Sequence, residues 1–140
     1  MTELPDGQMW IEFFASLYDL RSRSGPARAM TQFRERSFPE VDRELIARTA
    51  TNQYSASNSA YWFEHELRQY PAHVFDHDEL RRHLDELVLA VGHDSQGYPC
   101  FEATWALGRS VGREPVEVPG GHLGFLARPA TFAQALMQHL

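Results

Sequence analysis

The stretch that most restricts what this chain can become is Pro119-Gly120-Gly121-His122-Leu123-Gly124-Phe125. Three glycines surround one histidine. Glycine tolerates positive φ and close backbone approach, so the stretch reads as a tight loop presenting an imidazole. Pro115-Val116-Glu117-Val118 runs into it as a short strand, and a terminal helix starting near Pro129 runs out of it. Further upstream, Leu87-Val88-Leu89-Ala90-Val91 is a continuous apolar run, rich enough in branched residues for a strand buried on both faces. Residues 92–97 form a turn, and 101–111 have helical spacing ended by Gly112. Strand, helix, strand, helix with a crossover of this length predicts a right-handed βαβ unit with parallel strands. Two such strands leave N–H and C=O groups open along their outer edges. The expected fold class is therefore α/β, and the expected sheet belongs to something larger.

Residues 1–84 carry a different pattern. Met9, Trp10, Phe13, Phe14, Leu17 and Tyr18 form one broad apolar face at helical period, and Gly25 ends that helix. Ser24 is positioned to cap the next helix, with Pro26 just inside it. A third helix is expected after Ser37, with Pro39 in its first turn and Val41, Leu45 and Ile46 as its apolar members. Residues 51–60 read as a polar loop. Tyr61 to Tyr70 reads as a fourth helix, capped by Ser59 and closed by Pro71, and 78–84 as a short helical piece. The chain thus divides into a helical segment, 1–84, and a strand-containing segment, 85–140.

Composition excludes several classes of function. The net charge is −6, with 13 arginines, no lysine and no basic block. That argues against a nucleic-acid or anionic-membrane surface. Cys100 is the one cysteine, so no internal disulfide forms, and a reducing, cytoplasmic setting is expected. The first residues lack the basic and apolar regions of a signal peptide. His73, Asp76, His77, Asp78 and His83 suggest a metal at first sight. However, Pro71 precedes them, no H-E-x-x-H pattern is present, and zinc needs three or four convergent ligands. Neither a metal nor another cofactor is expected.

The second half resembles the C-terminal part of the α/β-hydrolase fold family. The residues that carry the resemblance are Leu87 to Ser95, Val116 to Phe125, and Pro129-Ala130-Thr131-Phe132. In that family the penultimate strand ends in a Gly-rich loop bearing an acid, and the last strand ends in a loop bearing the catalytic histidine. The helical first half, with Phe63-Glu64-His65-Glu66-Leu67-Arg68-Gln69-Tyr70-Pro71, resembles the cap inserted between sheet strands of bacterial members. The resemblance implies a partial α/β-hydrolase fold: a cap-like segment, 1–84, followed by a β-α-β-α part of the core, 85–140. It further implies that His122 is the general base and Asp94 the acid that orients it. In many members the acid lies one position further on, which here is Ser95, and it can also come from an earlier strand. Read locally, Asp94 is a turn residue.

One departure is large. The family's nucleophile sits in Gly-x-Ser-x-Gly, and no such pentapeptide occurs here. The implied activity is hydrolysis of a small ester or related bond, silent until another segment supplies serine and oxyanion donors. The alternative is a non-catalytic remnant whose helices self-associate or bind another protein. Trp10, Phe13, Phe14, Tyr61, Trp62 and Phe63 could line an acyl or aromatic pocket or could simply be core.

Overall fold

The computed structural model describes residues 1–49 and 51–140. Helix accounts for 64% of the chain and strand for 4%. The expected α/β class, with a substantial piece of hydrolase core, is therefore not what forms. The elements are α1 (Gly7–Ser24), α2 (Pro26–Ser37), α3 (Glu40–Arg48), α4 (Ser55–Tyr61), a π-helical turn (Trp62–Glu66), α5 (Gln69–Ala72) and α6 (His77–Arg82). They continue with β1 (Ala90–Gly92), a 3₁₀ turn (His93–Ser95), α7 (Pro99–Val111), β2 (Val116–Val118), α8 (Gly124–Ala127) and α9 (Pro129–Leu136).

Among the described residues the sheet is β1 and β2 alone, parallel, with Ala90 opposite Val116 and Gly92 opposite Val118. The apolar run that suggested a longer strand enters the ladder only at its end. Leu87, Val88 and Leu89 are half-buried and lie outside the strand. A strand is defined by its partner, and β2 is only three residues long, so Leu87 and Val88 have no ladder to join. Pro115, just ahead of β2, has no N–H to donate. Hydrophobicity alone could not distinguish a buried strand from an apolar connection.

Val91, Phe101, Ala106, Val111 and Val118 are buried in the second half, and one cluster forms the core of the first. Phe13, Phe14 and Leu17 of α1 pack with Ala29 of α2, Phe63 of the π turn and Leu67. Each large apolar side chain buried in this way contributes roughly 1.5–3 kcal/mol. Gly25 separates α1 from α2 at φ +83°, and its N–H donates to the Arg21 carbonyl. Gly25 itself stands at the cap position of α2, so Ser24 does not cap that helix. Residues 55–60, expected as loop, are helical, and that helix runs on to Tyr61. Asp76 caps α6, accepting the Glu79 N–H at 2.9 Å. Arg21 pairs with Glu64, which also accepts the Tyr18 hydroxyl at 3.0 Å, so α1 is tied to the π turn. Those two hydrogen bonds, Arg21's first, hold the Glu64 carboxyl below its usual range.

A file of aromatic rings leads out of the core. Phe14 meets Phe33 edge-on at 5.8 Å, Phe33 meets Phe38 at 5.4 Å, and Phe38 meets the His122 imidazole at 5.5 Å. Edge-to-face packing of this kind fixes ring orientation as well as burying area. The file joins the helical half to the glycine loop. Among the described residues, no helix is long and apolar enough to cross a membrane.

Candidate functional site

β2 ends at Val118, and the chain turns through Pro119, Gly120 and Gly121 before α8. Gly120 has φ +97°, a left-handed conformation that favours glycine. Its carbonyl accepts the N–H of Asp94, just after β1, at 2.9 Å. Gly92 is needed for a separate reason. A Cβ there would overlap the Gly121 carbonyl, so the end of β1 and the loop are in backbone contact.

The loop is held from its other side by a residue that the sequence reading passed over. Asp42 lies in the first turn of α3 and is fully buried. Its Oδ2 accepts the His122 N–H at 2.7 Å, and its Oδ1 accepts the Leu123 N–H at 3.3 Å. Gly121 faces the same carboxylate. A Cβ on it would stand 2.6 Å from Oδ1 and 2.7 Å from Cγ. The negative charge also sits at the N-terminus of its own helix, where the macrodipole favours it. The signal was present in the sequence: Asp42, Leu45 and Ile46 fall at i, i+3 and i+4. An acid sharing a face with two apolar residues is an acid turned inward. Val41, expected as an apolar member of that face beside Leu45 and Ile46, is instead 39% exposed.

The imidazole of His122 is exposed. Among the described residues it has no hydrogen bond or ion pair, and its contact is the tilted ring of Phe38. Asp94 lies in the 3₁₀ turn that follows β1. Its carboxylate pairs with Arg128 at 3.3 Å, and no described hydrogen bond joins it to His122. Ser95, the alternative position, is buried, and its Oγ has no partner. On the outer side, His93 Nδ1 lies 2.7 Å from Glu117, and that hydrogen bond raises the His93 pKa above its ordinary value.

Two hollows meet at His122. The larger, about 660 Å³, is walled by Val91, Phe101, Leu107, Val118 and Phe132, with Ser95 among its lining residues. The smaller, about 230 Å³, is walled by Phe14, Phe33, Phe38 and Trp62, with Ser37 among its lining residues. Met1, Tyr70, Cys100 and His122 line both. The larger is within the usual size range of small-molecule sites. Of the aromatics expected as pocket or core, Phe13, Phe14 and Phe63 are core, and Phe14 and Trp62 also line the smaller hollow. Burial pushes the Cys100 thiol above its ordinary pKa, so it stays protonated and a poor nucleophile at neutral pH.

The histidines of the 73–83 segment do not converge. His73 packs edge-on against Phe75, His77 pairs with Glu3 at 3.0 Å, and His83 faces Glu79 and Glu86. Among the described residues, no three His, Cys, Asp or Glu side chains are grouped to hold a metal ion. No protein-family model matches the chain.

Proposed function

We propose that the chain is the histidine-bearing part of a serine-type hydrolase that acts on a small uncharged ester, with nucleophile and oxyanion donors supplied by another stretch of polypeptide. The observation that carries this reading is the unpaired His122 imidazole, placed on a clamped loop where two apolar hollows meet. In that role His122 takes the serine proton and returns it to the leaving group. The two hollows would take the two arms of an ester, the longer beside Phe101 and Leu107 and the shorter beside Trp62. Asp94 would orient His122 only after leaving Arg128. In this reading the chain is inactive by itself, because Gly-x-Ser-x-Gly does not occur in it. The single cysteine and acidic charge fit a cytoplasmic protein that binds neither nucleic acid nor membrane.

The test is to read the coding DNA directly upstream of Met1 and to co-express any Gly-x-Ser-x-Gly segment found there with this chain. Hydrolysis of p-nitrophenyl butyrate by the pair, lost in His122→Ala, supports the reading. A pair whose hydrolysis is unchanged by His122→Ala refutes it.

A second reading has its own observation. Phe125, Leu126, Met137 and Leu140 are 48%, 54%, 69% and 80% exposed near the C-terminal end. A non-catalytic module that self-associates through such residues is the alternative, since clustered apolar exposure marks interaction surfaces. A chain that is monomeric by light scattering at every concentration would remove it.

A further inference from the structure

We propose that Asp42 is the positioning residue of His122, and that its carboxylate fills an anion site built by the loop's own backbone. The inference rests on reading His122 as the reactive group, but its geometry stands apart from any activity. Asp42 is fully buried, and none of the described ion pairs includes it. Its charge is met by the His122 and Leu123 N–H groups and by the first turn of α3. Consecutive amides converging on one anion form a backbone nest. Here the anion is a side chain from the other half of the molecule.

The loop is fixed from both sides, by Asp42 and by the end of β1. Asp42, Gly121 and Gly92 stack with no room for a Cβ on either glycine, so α3, the loop and the end of β1 are locked in sequence. The His122 side chain has no hydrogen-bond partner among the described residues, so its place depends on its backbone and on Phe38. Both supports come from one short stretch. Phe38 packs on the ring, and Asp42, four residues on, holds the N–H. The helical segment therefore aims the imidazole through one ring contact and one backbone N–H.

An anion site can be refilled. In Asp42→Ala the carboxylate is gone and the amides remain, so formate should enter and restore the loop. The experiment follows the His122 imidazole and the His122 and Leu123 amides by NMR in the full chain, with sodium formate titrated against equal sodium chloride. The expected result is displacement of all three sets of signals in Asp42→Ala, with a saturable return in formate and none in chloride. A folded Asp42→Ala with unmoved His122 signals overturns the proposal, and so does a displacement that formate leaves in place. Should Asp42→Ala not fold, Asp42→Asn is read instead. Asn keeps one acceptor oxygen and presents an NH₂ to the other amide, so one amide signal should stay and the other should move with the imidazole. An unmoved imidazole there also overturns it. A completed enzyme without esterase activity would remove the hydrolase reading and leave this one standing. Esterase activity with His122 indifferent to Asp42 would do the reverse.

Discussion

Gly121→Ala replaces one hydrogen with a methyl group, and it should be among the most damaging small substitutions in this chain. The new Cβ would sit 2.6 Å from Asp42 Oδ1 and 2.7 Å from Cγ. These distances are far inside van der Waals contact, and the carboxylate must withdraw. Withdrawal breaks its bonds to the His122 and Leu123 N–H groups. A hydrogen bond to a charged group contributes about 1.5–3 kcal/mol, so losing both costs about 3–6 kcal/mol. Stranding a buried charge falls in the same range, about 3–5 kcal/mol. Domains of this kind are stable by only about 5–15 kcal/mol. Urea unfolding followed by tryptophan fluorescence should show the midpoint falling by about 1.5 M or more, taking a slope near 2 kcal/mol per M. The cause is tested by a double-mutant cycle. With Asp42→Ala in place the methyl has space, so the second substitution should add little, and the coupling should be at least about 2 kcal/mol. Gly97→Ala serves as the control. Gly97 has φ +83° with open space around it, so its cost is backbone strain of about 1 kcal/mol, independent of Asp42. Costs for Gly121→Ala and Asp42→Ala that add to within about 0.5 kcal/mol would refute the carboxylate contact as the cause.

Three further outcomes are expected. His122→Ala should leave the unfolding free energy from urea within about 0.5 kcal/mol of wild type, because an exposed imidazole without hydrogen bonds supports little of the fold; a larger fall would mean that the ring is structural. Cys100, half-buried and shifted upward from its ordinary value of about 9.0, should react with a disulfide reagent at pH 8 more slowly in the native chain than in urea, and equal rates would contradict its partial burial. His93 should titrate above its ordinary value of about 6.5, because its hydrogen bond to Glu117 favours the imidazolium. The matching stabilisation is complete below pH 6.5 and disappears as pH rises through the raised value. In Glu117→Gln the NMR titration of His93 should return toward 6.5, and an unmoved midpoint would assign the shift elsewhere.

Much of the helical half was legible because its signals are local. The face of Phe13, Phe14 and Leu17 and the break at Gly25 follow from side-chain period and backbone permissiveness, as does the end of α7 at Gly112 in the second half. The fold class was misjudged for a non-local reason. Residues 87–91 have strand composition, but a strand exists only as far as its partner extends, and β2 offers three residues. Residues 55–61 carry no apolar period, yet they form the helix that leads into Phe63 and Leu67, where packing overrides polarity. The site was legible in half. The glycines marked the loop and placed His122 and Asp94 at neighbouring strand ends, but Arg128 as Asp94's partner could not be read from spacing. Asp42 lies 80 residues from His122 in sequence. Its face pattern with Leu45 and Ile46 marked it as turned inward, but not which amides it would meet.

The site is argued to be organised in advance, with His122 fixed by Asp42 before any substrate or partner arrives. The most direct measurement is hydrogen exchange at the His122 and Leu123 amides of the intact chain. Both lie in a loop between β2 and α8, where unheld amides exchange quickly. If the carboxylate holds them, both should be protected to the level of the α1 amides around Phe13 and Leu17. Exchange at the rate of an open loop, with α1 still protected, would mean that the clamp does not persist in solution.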